Sequence, residues 1–296
     1  MPQTEPLDDS TPRLDIRARV AELDALPVIP QLARRLLDLR DDPDATVEQL
    51  VDVVRLDPGL AALIIRYANS PLYGQHDVDS LDDAIFRVLG FENVLNLALG
   101  KALSRAFRLP GVGPLSLAGF WHNALFSAAL MQKLASRHGR PWGLQPGNAW
   151  LCGLLHNIGQ LVLASLFETE YFWLNKALLA KPEVPPVELE NRLLGLTHAE
   201  LGARLMQAWQ MPPILHAVTG EHHNPDYRGD YPAAVWLVQV TDQLLRSHNM
   251  SDAASDEPDP QLLDKLELPE EELYLAMDDV LEAGDVLEAM VKGFGE

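Results

Sequence analysis

Apolar residues recur at steps of three and four along nearly every segment of this chain, and no run of alternating β-branched residues is long enough to build a sheet. That periodicity leaves helices packed on helices, so the expected fold class is all-α, a multi-helix bundle. Breakers then set the helix lengths. Pro27 and Pro30 bracket a connection after a first helix at about 14–25, and Pro43 closes a second helix with Leu32, Leu36 and Leu39 on one face. Thr46 with Gln49 is a capping-box pattern ahead of LVDVVRL, Asp57-Pro58 ends that helix and opens another, and ANSPLYG supplies further breakers. Ser80 opens LDDAIFRVL and Gly90 stops it. The clearest internal boundary is LPGVGP at 109–114, beyond which helices are expected near 115–138, 147–164, 168–180, 186–194, 198–210, 212–222 and 231–248. The chain therefore divides into a flexible N-terminus (1–13), an N-terminal helical lobe (14–108), a second helical lobe (115–248), an acidic linker (249–260) and a C-terminal amphipathic segment (261–296).

Of the formal net charge of −20, residues 251–296 carry −13, from 15 acidic and 2 basic side chains, which leaves −7 for the first 250 residues. Such a chain lacks the basic field that neutralises phosphates, so nucleic acid is not an expected partner. With Cys152 alone, no intramolecular disulfide or thiolate cluster can form. MPQTEPLDDSTPRLD does not read as a secretory signal, and a cytoplasmic location is expected. No membrane helix is expected either, because the apolar stretches at 120–131 and 150–167 are broken by His122, Asn123, His156, Asn157 and Gln160. Near the C-terminus, Leu273, Met277, Val280, Gly284, Leu287, Val291 and Phe294 form one helical stripe. This stripe is expected to dock as a helix on the chain's own body, with a partner surface as the alternative, while Asp278, Asp279, Glu282, Asp285 and Glu288 face water.

The second lobe concentrates His122, His156, His198, His216, His222, His223 and Asp242 among apolar neighbours. A lone histidine on a helix is more often a packing or capping residue than a ligand. Imidazoles and a carboxylate on adjacent helices of a bundle, however, are the groups that hold Zn, Fe or Mn. His222-His223 can equally end a helix by capping its last carbonyls, and Trp121, Trp150, Trp173, Trp209 and Trp236 read as core anchors.

LLHNIGQLVL, residues 154–163, resembles the LLHDIGKL segment of the HD phosphohydrolase superfamily. Read against it, His156 matches the family histidine, Asn157 stands where the aspartate belongs, and Gln160 replaces the lysine. His122 in FWHNA matches the upstream histidine and Asp242 in VTDQL the downstream aspartate, while His198, His222 and His223 match the further histidines of dinuclear members. Asp230-Tyr231-Pro232 stands where the HD-GYP cyclic-di-GMP phosphodiesterases carry Gly-Tyr-Pro. The first lobe is similar to the HDOD domain, the HD-related output domain of bacterial signalling proteins. The similarity runs through LPVIPQLARRLLDL, TVEQLVDVVRLDPGLAALIIRYANSPLYG and SLDDAIFRVLGFENVLNLAL, and covers about residues 20–245.

The resemblance implies an HD-like second lobe and a non-catalytic regulatory module that works through protein contacts with other signalling proteins or through a small ligand such as a nucleotide. It implies His122, His156, Asp242, His198, His222 and His223 as the metal ligands of a pocket that has lost one ligand at Asn157. An amide offers one neutral oxygen where a carboxylate brings charge and can bridge two cations. No cofactor is expected beyond one weakly held divalent ion, Zn, Fe or Mn. The alternative is a metal-dependent phosphohydrolase or phosphodiesterase that works with the ligands left.

Overall fold

A computed structural model describes residues 14–21, 26–74, 77–107, 115–251 and 257–295, and among them every regular element is helical. Helices α1 (Arg17–Ala21), α2 (Gln31–Asp41), α3 (Val47–Arg55) and α4 (Pro58–Ala68) follow the breakers read from the sequence. Thr46 and Gln49 form the reciprocal capping box of α3, and Asp57 caps α4 by accepting from Leu60 N–H, with Pro58 in the first turn. Asn69 clamps the next loop, donating to Val78 O at 2.8 Å and accepting from Val78 N–H at 2.9 Å. Asp57 also pairs with Arg105. These residues act as punctuation and bracing of the first lobe.

Ser80 caps α5 (Leu81–Asp83), which continues as a π-helical stretch over Ala84–Leu89 and stops at Gly90, φ 79°. In α6 (Phe91–Ser104) every residue from Val94 to Ser104 is buried, with α2 and α4 against it on one side and α8 on the other. The LPGVGP boundary falls within residues 108–114, outside the described residues. The buried apolar residues on its two sides belong to one continuous core.

The second lobe is built round α7 (Leu117–Trp142), capped by Ser116 and ended by Gly143 in the left-handed region. It packs on α8 (Pro146–Leu155), α14 (Pro232–Ser247), α16 (Glu270–Glu282) and α17 (Gly284–Gly295). The remaining helices are α9 (Ile158–Leu166), α10 (Glu168–Ala180), α11 (Pro186–Leu194), α12 (His198–Ala208), α13 (Pro213–Glu221) and α15 (Pro260–Leu266). Trp121, Trp150 and Trp209 are core anchors as expected, whereas Trp173 and Trp236 are only half-buried.

Three expectations need correction. The single helix at 147–164 is two helices, because Asn157 (φ −91°, ψ 12°) leaves helical geometry and Gln160 N–H closes a tight turn on Asn157 O. Over 146–166 the chain is apolar and long enough to span a membrane, yet 89% of its most apolar 18-residue stretch is buried inside the bundle. The C-terminal stripe is also two helices, broken at Ala283-Gly284. Its members Leu273, Met277, Val280, Leu287, Val291 and Phe294 are buried against this chain's own body, mainly α7 and α4. Finally, Asp279 and Glu288 do not simply face water. Asp279 pairs with Lys133 and Arg137 at 2.8 Å each, and Glu288 lies 2.7 Å from His122 Nε2, so polar side chains of α7 seat this acidic segment.

Candidate functional site

The break between α8 and α9 decides what faces inward, because it turns His156 and Asn157 into the bundle, both almost fully buried. His156 Nδ1 lies 2.7 Å from Gly153 O, and a carbonyl can only accept, so this nitrogen donates. The opposite nitrogen, Nε2, then faces Asp242 Oδ2 of α14 at 3.1 Å.

His198 opens α12 behind a Thr197–Glu200 capping box. Its ring is oriented by Glu190 of α11, a fully buried carboxylate that accepts from His198 backbone N–H at 2.9 Å and from Nδ1 at 2.8 Å. His222, at the end of α13, donates Nδ1–H to Val218 O and Thr219 O, both at 3.1 Å. His198 and His222 therefore each turn an Nε2 lone pair to the centre. His198 Nε2 lies 3.1 Å from the Nε2 atoms of both His222 and His223.

Desolvation, followed by the neighbouring histidines, holds His222 well below the ordinary imidazole pKa. Desolvation likewise pushes His223 down to about 3, with His198 as the next cause. Both rings are neutral near pH 7.

Asn157 completes the set. Asn123 Nδ2 donates to Met250 O at 3.0 Å and approaches Asp242 Oδ1 at 3.4 Å, which fixes its amide orientation. Asn123 Oδ1 then accepts from Asn157 Nδ2 at 3.1 Å, and this leaves Asn157 Oδ1 3.1 Å from His222 Nε2. Three imidazole nitrogens and one amide oxygen thus converge, and His198 Nε2, His222 Nε2 and Asn157 Oδ1 do so lone pair towards lone pair, an arrangement that a cation relieves. Ligands about 2.0–2.1 Å from a tetrahedral zinc ion stand about 3.3–3.4 Å apart, close to the 3.1 Å that separates His198 Nε2 from His222 Nε2 and His223 Nε2, and His222 Nε2 from Asn157 Oδ1. The three histidines are mutually within 4.8 Å. Glu190 supplies the carboxylate that commonly backs a metal-bound histidine. The donor set fits one divalent ion.

The structure does not bring His122 into this group. Its Nε2 pairs with Glu288, its ring stacks on Phe126 at 4.5 Å, and α7 turns the next residue, Asn123, inward instead. His216 is set apart as well, with Nε2 on Met211 O at 3.1 Å. Tyr231 of the Asp230-Tyr231-Pro232 sequence sits at the start of α14 with φ 58° and an exposed ring. Sequence reasoning missed Glu190 and Asn123. Glu190 was findable, since it lies on the same face of α11 as the buried Leu189, Leu193 and Leu194. Asn123 was not, because α7 is buried on nearly all sides. Beside the cluster lies a cavity of about 780 Å³ whose lining includes Asn123, Asn157, Gln160, His122, Arg246 and Glu288.

Comparison with known proteins follows the same lines. The chain is 34% identical to a candidate signal transduction protein from Marinobacter aquaeolei VT8, with a TM-score of 0.78 over 92% of this chain and 60% of that one. It is 25% identical to a candidate phosphohydrolase from Shewanella amazonensis SB2B, with a TM-score of 0.72 over 94% and 98%. An uncharacterized protein of Treponema pallidum (strain Nichols) is 25% identical over 228 residues, which are 75% of this chain and 43% of that protein. The chain thus spans less than two thirds of the length of the first and the third. Residues 26–225, more than half of the sequence, match the HDOD domain, and the chain belongs to the HDOD family.

Proposed function

We propose that this chain is a non-catalytic regulatory module of bacterial signalling, acting through protein contacts or ligand sensing. The observation that carries this reading is Asn157, a neutral amide at the centre of the pocket whose Nδ2 is committed to Asn123. A dinuclear hydrolytic site needs a carboxylate to bridge and offset two cations, and this amide does neither. His198, His222, His223 and Asn157 would hold a single divalent ion, Zn, Fe or Mn. When bound, such an ion supplies Lewis acidity. The protein's own groups orient the donors: Glu190 holds His198, the α13 carbonyls hold His222, and Met250 O holds Asn123 and through it Asn157. Contact with other signalling proteins is supported by α10, where Phe172 and Leu179 are more than half exposed and Leu179 also lines the cavity.

The test is elemental analysis of protein purified without chelator or affinity tag, together with a screen of phosphodiester and nucleotide substrates. No turnover and at most one metal per chain are expected. Asn157→Asp restores a charge to the donor set and should raise metal affinity on the order of tenfold or more, while Gln160→Lys alone changes little. Two tightly held ions with phosphodiester cleavage would defeat the proposal. They would instead establish the second reading, a metal-dependent phosphohydrolase, which is favoured by similarity to the Shewanella protein and by the His156–Asp242 pair.

A further inference from the structure

We propose that the cavity beside the histidine cluster takes an uncharged nucleoside-class ligand, recognised by its base edge, and excludes the phosphorylated forms; this rests on the regulatory reading above. The volume, about 780 Å³, falls within the range of small-molecule pockets. Its polar floor is made of amides. In the Asn123–Asn157 pair, Asn123 Nδ2 is taken by Met250 O and Asp242, and Asn157 Oδ1 is turned towards His222 Nε2. An amide nitrogen carries two hydrogens and an amide oxygen two lone pairs. Among the described residues, one hydrogen of Asn157 Nδ2 and one lone pair of Asn123 Oδ1 therefore remain beyond the bond that joins the two residues. A donor beside an acceptor is complementary to the acceptor–donor edge of a nucleobase, the pairing that Asn and Gln side chains make with bases elsewhere. Apolar walls, among them Phe120, Leu178 and Val291, suit the faces of a heterocycle.

Charge excludes the phosphate. Among the described lining residues the guanidinium is Arg246, which also donates to Ser251 O at 3.3 Å, and the carboxylates Glu183 and Glu288 share the wall with it. Asp242 stands directly behind Asn123, and the chain as a whole carries −20. A phosphate entering here would meet more negative than positive charge.

Titration calorimetry and thermal shift on the full chain, with adenosine, guanosine, cytidine and uridine beside their 5′-monophosphates, test the proposal. At least one nucleoside should bind 1:1, unaffected by a chelator, and its monophosphate at least about tenfold more weakly. Ala118→Trp places bulk at an exposed lining position in the first turn of α7 and should abolish binding without lowering the melting temperature. Asn123→Leu should abolish it as well. Absence of binding by all four nucleosides, equal or tighter binding of a monophosphate, or binding that survives Ala118→Trp would each overturn the inference. If the substrate screen shows no turnover and no nucleoside binds, the regulatory reading stands and this inference alone falls. If a phosphodiester is cleaved, the regulatory reading falls first.

Discussion

Glu190 is the residue on which the histidine cluster turns. Without its carboxylate behind Nδ1, His198 can adopt either tautomer and its Nε2 no longer faces the centre as a fixed acceptor. Glu190→Gln keeps the shape and removes the charge. It should cost about 1–3 kcal/mol in denaturant unfolding and reduce affinity for added zinc by roughly 10- to 100-fold. Unchanged zinc affinity would show that the tautomer is set elsewhere. The neutral rings also make the fold sensitive to acid. Unfolded imidazole takes up a proton near pH 6.5, whereas folded His223 resists until about 3 and His222 is held well below its ordinary value. Between those limits the unfolded chain binds more protons, so stability present above about pH 6.5 drains away as pH falls. The melting temperature should decline from about pH 7 to about pH 5, and less steeply in His223→Gln. A flat profile in the parent protein would mean that these rings are not shielded from protons.

At the scale of elements, the cluster exists because α9 and α12 cross backbone to backbone. A β-carbon at Gly159 would lie 1.8 Å from His198 O, and one at Gly202 would lie 3.3 Å from Gly159 N. Only at this separation does the start of α12 bring His198 against residues turned inward by the α8–α9 break. Gly159→Ala must push the two helices apart. A loss of about 1–3 kcal/mol or more is expected, together with loss of zinc binding, because the backbone atom in the way cannot swing aside as a side chain would. A stable Gly159→Ala protein with unchanged zinc affinity would contradict the crossing described here.

For the whole molecule, α15–α17 complete the core, and α17 adds Glu288 and Val291 to the cavity wall. Leu273, Met277, Val280, Leu287, Met290 and Phe294 are each at most 4% exposed, and Lys101, itself buried in α6, hydrogen-bonds Gly293 O and lies over the Phe294 ring. Burial of each such apolar side chain contributes about 1.5–3 kcal/mol. Six of them together rival the net stability of a typical domain, about 5–15 kcal/mol. Removal of residues 260–296 should therefore abolish cooperative unfolding or lower the melting temperature by more than about 10 °C. A truncated protein that melts like the parent would show these helices to be dispensable.

Helix class and helix ends were legible in the sequence because capping and breaking are local. Thr46 with Gln49, Asp57-Pro58 and Ser80 act within three residues of themselves, and the structure uses each as read. The inward cluster of His156, His198, His222, His223 and Asp242 was legible too, through residue type and the resemblance of LLHNIGQLVL. Tertiary structure decided the rest. The 147–164 run gives no local sign that Asn157 breaks it, since neither Gly nor Pro stands at the break and the turn serves contacts made with α12 and α14. The choice of Asn123 over His122 depends on which neighbour sits on each side of α7, with Glu288 of α17 taking His122 and Asp242 and Met250 taking Asn123. These partners lie more than a hundred residues away along the chain. Periodicity can say that a residue is buried, but only the packed helices decide what it is buried against.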